Sequence, residues 1–173
     1  MVRIVWALLL TVGMTVAITA QGGPPSGRGQ MRGGMMHDAT HDADMAVFQS
    51  LIDNRQKIQR TVVRLPDGIE TVTESDDPEV VTLIQTHVSA MYDRVTEARP
   101  IHMRDPLFAA IFDNADKIVM KHEMTPRGIK VVETSADPYV VRLIQAHADV
   151  LDLFIKNGRP ELMKNHEVPA RPQ

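Results

Sequence analysis

The 173-residue chain contains no cysteine. That excludes disulfides, thiolate metal sites, iron–sulfur clusters, a cysteine nucleophile and covalent c-type haem attachment. It also excludes a lipid anchor made through a cysteine thiol, and an exported domain without disulfides must be held by its core. Aromatic residues are scarce, with one Trp, two Tyr and four Phe, and the Trp (Trp6) falls in the N-terminal apolar run. A stacking platform for sugars or bases is therefore not expected. The formal net charge is −3 and no basic block occurs, so the counterion-releasing surface of a nucleic-acid binder is missing as well. Enzyme templates are absent too: no Gly-x-Ser-x-Gly elbow, no His-Glu-x-x-His, no phosphate-cradling Gly-Lys-Ser/Thr loop and no Gly-x-Gly-x-x-Gly after a strand. Glu74 and Glu133 stand near the ends of expected hairpins, with nothing paired to them at a spacing that argues for acid–base work.

Only one segment is long and apolar. Arg3 precedes the run Ile4 to Ala20, which is broken only by Thr11, Gly13, Thr15 and Thr19. A positive start, an apolar stretch and Ala20 before Gln21 read as a signal peptide over residues 1–20, although Ile18 is larger than ideal for the cleavage site. The alternative is a retained anchor, since the run sits at the short edge of a membrane span of ~20 residues. The expectation is a periplasmic or secreted bacterial protein with no stable membrane span once the signal is removed. Residues 21–43 are rich in Gly, Met and His without hydrophobic periodicity, which reads as a disordered tether.

The rest of the chain repeats itself. Phe48 aligns with Phe108, Asp53-Asn54 with Asp113-Asn114, Pro66 and Gly68 with Pro126 and Gly128, Asp77-Pro78 with Asp137-Pro138, and Gln85 with Gln145. Every pair is sixty positions apart, as His147 is from His87, with no insertion. Each unit, 44–104 and 105–166, reads as helix, β-hairpin, helix, followed by a short tail at 167–173. Phe48, Leu51, Ile52 and Arg55 follow the i, i+3, i+4, i+7 spacing of one helical face. Leu65-Pro66-Asp67-Gly68 is a turn in which Gly is expected to supply a positive φ. Asp77-Pro78 and Asp137-Pro138 open longer helices, the first with an inner face of Val80, Ile84, His87, Val88, Met91 and Val95. Asp53 with Lys57, and Asp113 with Lys117, read as i, i+4 ion pairs. The fold class is α+β: tandem αββα units about a pseudo-twofold axis, with a four-stranded antiparallel sheet covered by helices.

Three constellations carry ligand chemistry, and each has a structural alternative. Met35, Met36, His37 and His41 combine thioethers, which suit Cu(I), with imidazoles, which suit Cu and Zn; the alternative is a solvated leader. Met120, His122 and Met124 alternate along a strand and fall on one face, where two flexible Met side chains can close on an ion beside His122. The alternative there is core filler, and the equivalent positions of the first unit hold Arg60, Val62 and Arg64. His87 and His147 occupy equivalent apolar helix faces and are candidates, with Met91, to hold a metal or a b-type haem. The alternative is a pair of core histidines bonded to carbonyls or to Gln85 and Gln145. His102 and His166 are assigned no role.

Asp53 to Ile58, Glu70 to Ser75 with Asp77-Pro78, and Asp137 to Val141 resemble a group of small exported bacterial proteins, over most of the chain beyond the tether. The resemblance implies a bacterial, extracytoplasmic setting and no particular activity. The sequence is thus read as an exported, non-catalytic binding protein whose ligand is copper or haem b. Two rivals remain: a metal-free structural module with an envelope protein partner, and an enzyme with its site between the units.

Overall fold

The computed structural model describes residues 40–172. The signal-peptide reading of 1–20, most of the tether, and Met35, Met36 and His37 lie outside the described residues. The described chain is α+β. Helix α1 (His41–Asp53) leads through a 3₁₀ turn into the hairpin β1 (Ile58–Leu65) and β2 (Gly68–Ser75), then α2 (Pro78–Thr96). Helix α3 (Pro106–Phe112), a second 3₁₀ turn, β3 (Val119–Thr125), β4 (Gly128–Thr134) and α4 (Pro138–Asn157) repeat that order. The sheet is antiparallel throughout, in the order β1-β2-β4-β3. Thr71 of β2 pairs with Val131 of β4. These two are equivalent positions, so the local twofold axis passes between them.

Local chemistry explains the elements. Asp77, Asp105 and Asp137 cap their helices by accepting hydrogen bonds from the backbone N–H groups of Glu79, Leu107 and Tyr139 at 2.9, 3.0 and 2.9 Å, and Pro follows each at the first helical position. Ser75 and Ser135 brace the first and third of these caps, each hydroxyl accepting from the capping Asp N–H at 3.1 Å. Helix α4 ends where expected, at Gly158 with φ 69°. Helix α1 begins at His41, so the last three residues of the tether expected over 21–43 are helical, and it ends at Asp53. Arg55 therefore sits in the 3₁₀ turn, outside the helical face it was assigned to.

Two local expectations fail. Lys57 and Lys117 do not pair with Asp53 and Asp113; they bind the capping Asp77 and Asp137 at 2.7 and 3.0 Å, because the chain leaves the helix before an i, i+4 pair can form. Asp53 is instead held by Arg159, two nitrogens on two oxygens, at 3.0 and 2.7 Å. Gly68 and Gly128 are needed for space and not for a positive φ, which among the described glycines is found only at Gly158. A Cβ on Gly68 would collide with the carbonyl oxygen of Glu133, and one on Gly128 with that of Thr73.

All four helices lie on one face of the sheet. Each long helix reaches across to the other hairpin: α2 packs on β4 and β3, α4 on β2 and β1. The exchange is fixed by two retained glutamines. Gln85 donates to the carbonyls of Thr125 and Gly128 (3.1 and 2.9 Å), and Gln145 donates to those of Leu65 and Gly68 (3.2 Å each). Helix α1 lies beside α2, held by buried Arg94 on Asp44 at 2.7 Å, and α3 lies beside α4. Leu107, Val140, Leu143 and Ile129 are fully enclosed between these layers, where burial contributes about 2 kcal/mol per side chain.

Candidate functional site

The space over the twofold axis is not filled. A chamber of about 160 Å³, open to solvent at a mouth, lies between the sheet and the helices. A single water requires only ~10–15 Å³ of such space. The void is thus an order of magnitude beyond a packing defect. Thr71 and Val131, the axial pair, form its floor, with Arg60 and Thr73 toward one end and Met120 and Glu133 toward the other. Helix α2 contributes His87, Val88, Met91 and Val95, which completes the inner face read from the sequence. Helix α4 contributes Ile144, His147, Leu151 and Phe154.

His87 and His147 therefore enter one chamber from equivalent positions, and neither bonds to the glutamine beside it, since both glutamines are engaged at the turns. Each rests on an equivalent phenylalanine. Phe48 stacks on His87 with ring centres 5.4 Å apart, and Phe108 meets His147 edge-on at 5.1 Å. Phe154 sits 6.0 Å from both phenylalanines and closes an aromatic cluster. Burial lowers the His87 pKa to about 4, against the raising effect of Asp44. Burial likewise lowers that of His147 to about 4, helped by the charges of Arg60 and His87. Both rings are thus neutral across the physiological range, the form in which imidazole ligates a metal. His87 Nδ1 is buried with no hydrogen-bond partner, an uncommon condition that calls for a bound group or a function.

Three polar residues that sequence reasoning passed over also face this space. Glu133 was read as a hairpin-end residue, yet it lies on the inner side of β4 with Ile129 and Val131. Burial raises its pKa to about 7, opposed by the charge of Arg60. Arg60 itself is occupied, donating to Asp152 and to the Ala148 carbonyl. His102 lines the chamber from the connector before α3, with φ 59° and its ring 4.8 Å from that of Phe108; burial lowers its pKa. Strand alternation from Ile129 through Val131 was the available signal for Glu133. For His102 there was none, because a left-handed residue in a connector leaves no periodic trace.

No protein-family model, curated protein or solved structure matches this chain. The site must be read from its own chemistry.

The other predicted residues are placed as follows. Met91 lines the chamber beside His87. Met120, His122 and Met124 do share one face of β3, as their pairing with Glu133, Val131 and Ile129 requires. His41 opens α1 and contacts Asp42 at 3.2 Å. Among the described residues, no group of three or more His, Cys, Asp or Glu is arranged to hold a metal ion, and no helix is long and apolar enough to cross a membrane. His166, assigned no role from sequence, is clasped between Asp105 and Glu161. Burial depresses its imidazolium, but the hydrogen bonds and charges of those two carboxylates outweigh that and raise its pKa. This clasp ties the C-terminal segment to the start of α3.

Proposed function

We propose that the protein is an exported, non-catalytic binding protein of the bacterial cell envelope, and that the axial chamber takes a b-type haem. One observation carries the reading: two neutral imidazoles, one with an unpartnered nitrogen, enter a single large chamber with apolar and aromatic walls. A bare metal ion needs three or four protein ligands. A haem supplies the four equatorial nitrogens itself, requires only one or two axial side chains, and prefers walls like these. His87 and His147 are the candidate axial ligands, with Met91 the alternative beside His87. Export is supported by the Arg3 to Ala20 segment.

The test is a titration of the purified protein with ferric haem, followed by desalting. The expected result is near-stoichiometric retention and a sharpened, red-shifted Soret band, with affinity lowered at least tenfold in His87→Leu or His147→Leu. Haem that elutes freely, or that binds both variants as it binds the parent, overturns the assignment. The metal-free interaction module, in contrast, predicts a co-purifying envelope partner and no retained chromophore.

A further inference from the structure

We propose that the inner face of β3 carries a second site, adjoining the chamber at Met120, for one soft monovalent ion, Cu(I) or Ag(I), with Met120, His122 and Met124 as its ligands. The inference is independent of the haem reading. The three residues point toward α2, since their cross-strand partners Glu133, Val131 and Ile129 lie on the helix-covered side. Same-face residues on a strand are ~6–7 Å apart, and the three rotatable bonds of each methionine let both sulfurs swing toward the imidazole between them. His122 Nδ1 is buried without a hydrogen-bond partner. The Tyr92 ring of α2 meets the imidazole edge-on at 4.9 Å and walls the position. Met124 is 50% exposed and gives an ion a way in, while Met120 reaches the chamber.

Comparison of the two halves shows what these residues replace. In β1 the equivalent positions are Arg60, Val62 and Arg64. Arg60 is bonded to Asp152, and Arg64 holds both oxygens of Asp149 at 2.7 Å, so these residues cross-link β1 to α4. In the second half all four charged positions are neutral: Met120 and Met124 on β3, Ser89 and Tyr92 on α2. The seam has thus exchanged ionic cross-links for two thioethers and an imidazole. A set of sulfur, nitrogen and sulfur without a carboxylate disfavours Ca²⁺, Mg²⁺ and Zn²⁺ and favours d¹⁰ monovalent ions. Along β3 the charged Lys121 and Glu123 alternate onto the opposite face, and on the ligand face the one carboxyl opposite β3 is Glu133, paired with Met120 at the far end from Met124.

The experiment is a titration of the full chain, carrying ¹³C-methyl-labelled methionine, with Ag(I), which needs no reductant. The methyl resonances of Met120 and Met124 are expected to shift together and saturate at one ion, separately from Met31, Met35, Met36 and Met45. His122→Gln should abolish the shift at both methyls. Met124→Leu, at a half-exposed position that keeps the fold, should weaken Cu(I) retention against a chelator at least tenfold. The proposal is overturned if only the N-terminal methionines respond. It is equally overturned if Met120 and Met124 shift unchanged in His122→Gln.

Discussion

Glu133 offers the sharpest test of the chamber, because a half-buried acid without its own cation must weaken the fold once it ionises. Its folded pKa is about 7 against an ordinary 4.5. Between these values the folded state holds a proton that the unfolded state has released, so stability falls as pH rises through this window. At 1.4 kcal/mol per unit, the cost above pH 7 reaches about 3 kcal/mol. Glu133→Gln keeps the shape and the hydrogen-bonding capacity and cannot ionise. Urea unfolding at pH 8 should therefore find the variant up to about 3 kcal/mol more stable than the parent, and at pH 4.5 the two should nearly coincide. A variant less stable at pH 8, or a difference independent of pH, would refute the half-buried, unpaired acid. It would imply that Arg60 leaves Asp152 to pair with Glu133.

The histidines predict the opposite slope. Their folded pKa values of about 4, against 6.5 unfolded, mean that unfolded imidazoles take up protons that folded ones refuse. Stability should drop as pH falls from 6.5 toward 4, by up to about 3 kcal/mol for each ring, and thermal unfolding of His87→Leu should show a shallower acid limb. Gly68→Ala and Gly128→Ala should each lose about 3 kcal/mol in urea titrations, because a Cβ meets a central-strand carbonyl that cannot retreat. Asp77→Ala and Asp137→Ala should each lower the melting temperature in line with about 1 kcal/mol from a lost cap.

Much of the fold was legible wherever the information is local. The Asp-Pro caps, the hairpin turns and the face of α2 from Val80 to Val95 are written in side-chain chemistry and period. Partnership across the molecule was not. Lys57 chose Asp77 over Asp53 because the helix stops short, which spacing alone does not reveal. The glycine requirement at Gly68 was attributed to the turn, yet it comes from β4, whose position beside β2 depends on sheet order. His87 and His147 were singled out because their apolar faces made them anomalous, and that anomaly survives as an unpartnered nitrogen in a chamber. Glu133 was read only as a hairpin-end acid without a partner, because an acid near a hairpin end ordinarily faces water; the register shows it turned inward, where Thr73 stands in the other half.

The central claim concerns which atoms would hold iron, and electron paramagnetic resonance of the ferric complex addresses that directly. A low-spin signal characteristic of imidazole ligation is predicted for the parent, lost or converted to high spin when His87 and His147 are both replaced by Leu. The same low-spin signal in the double variant would contradict the account.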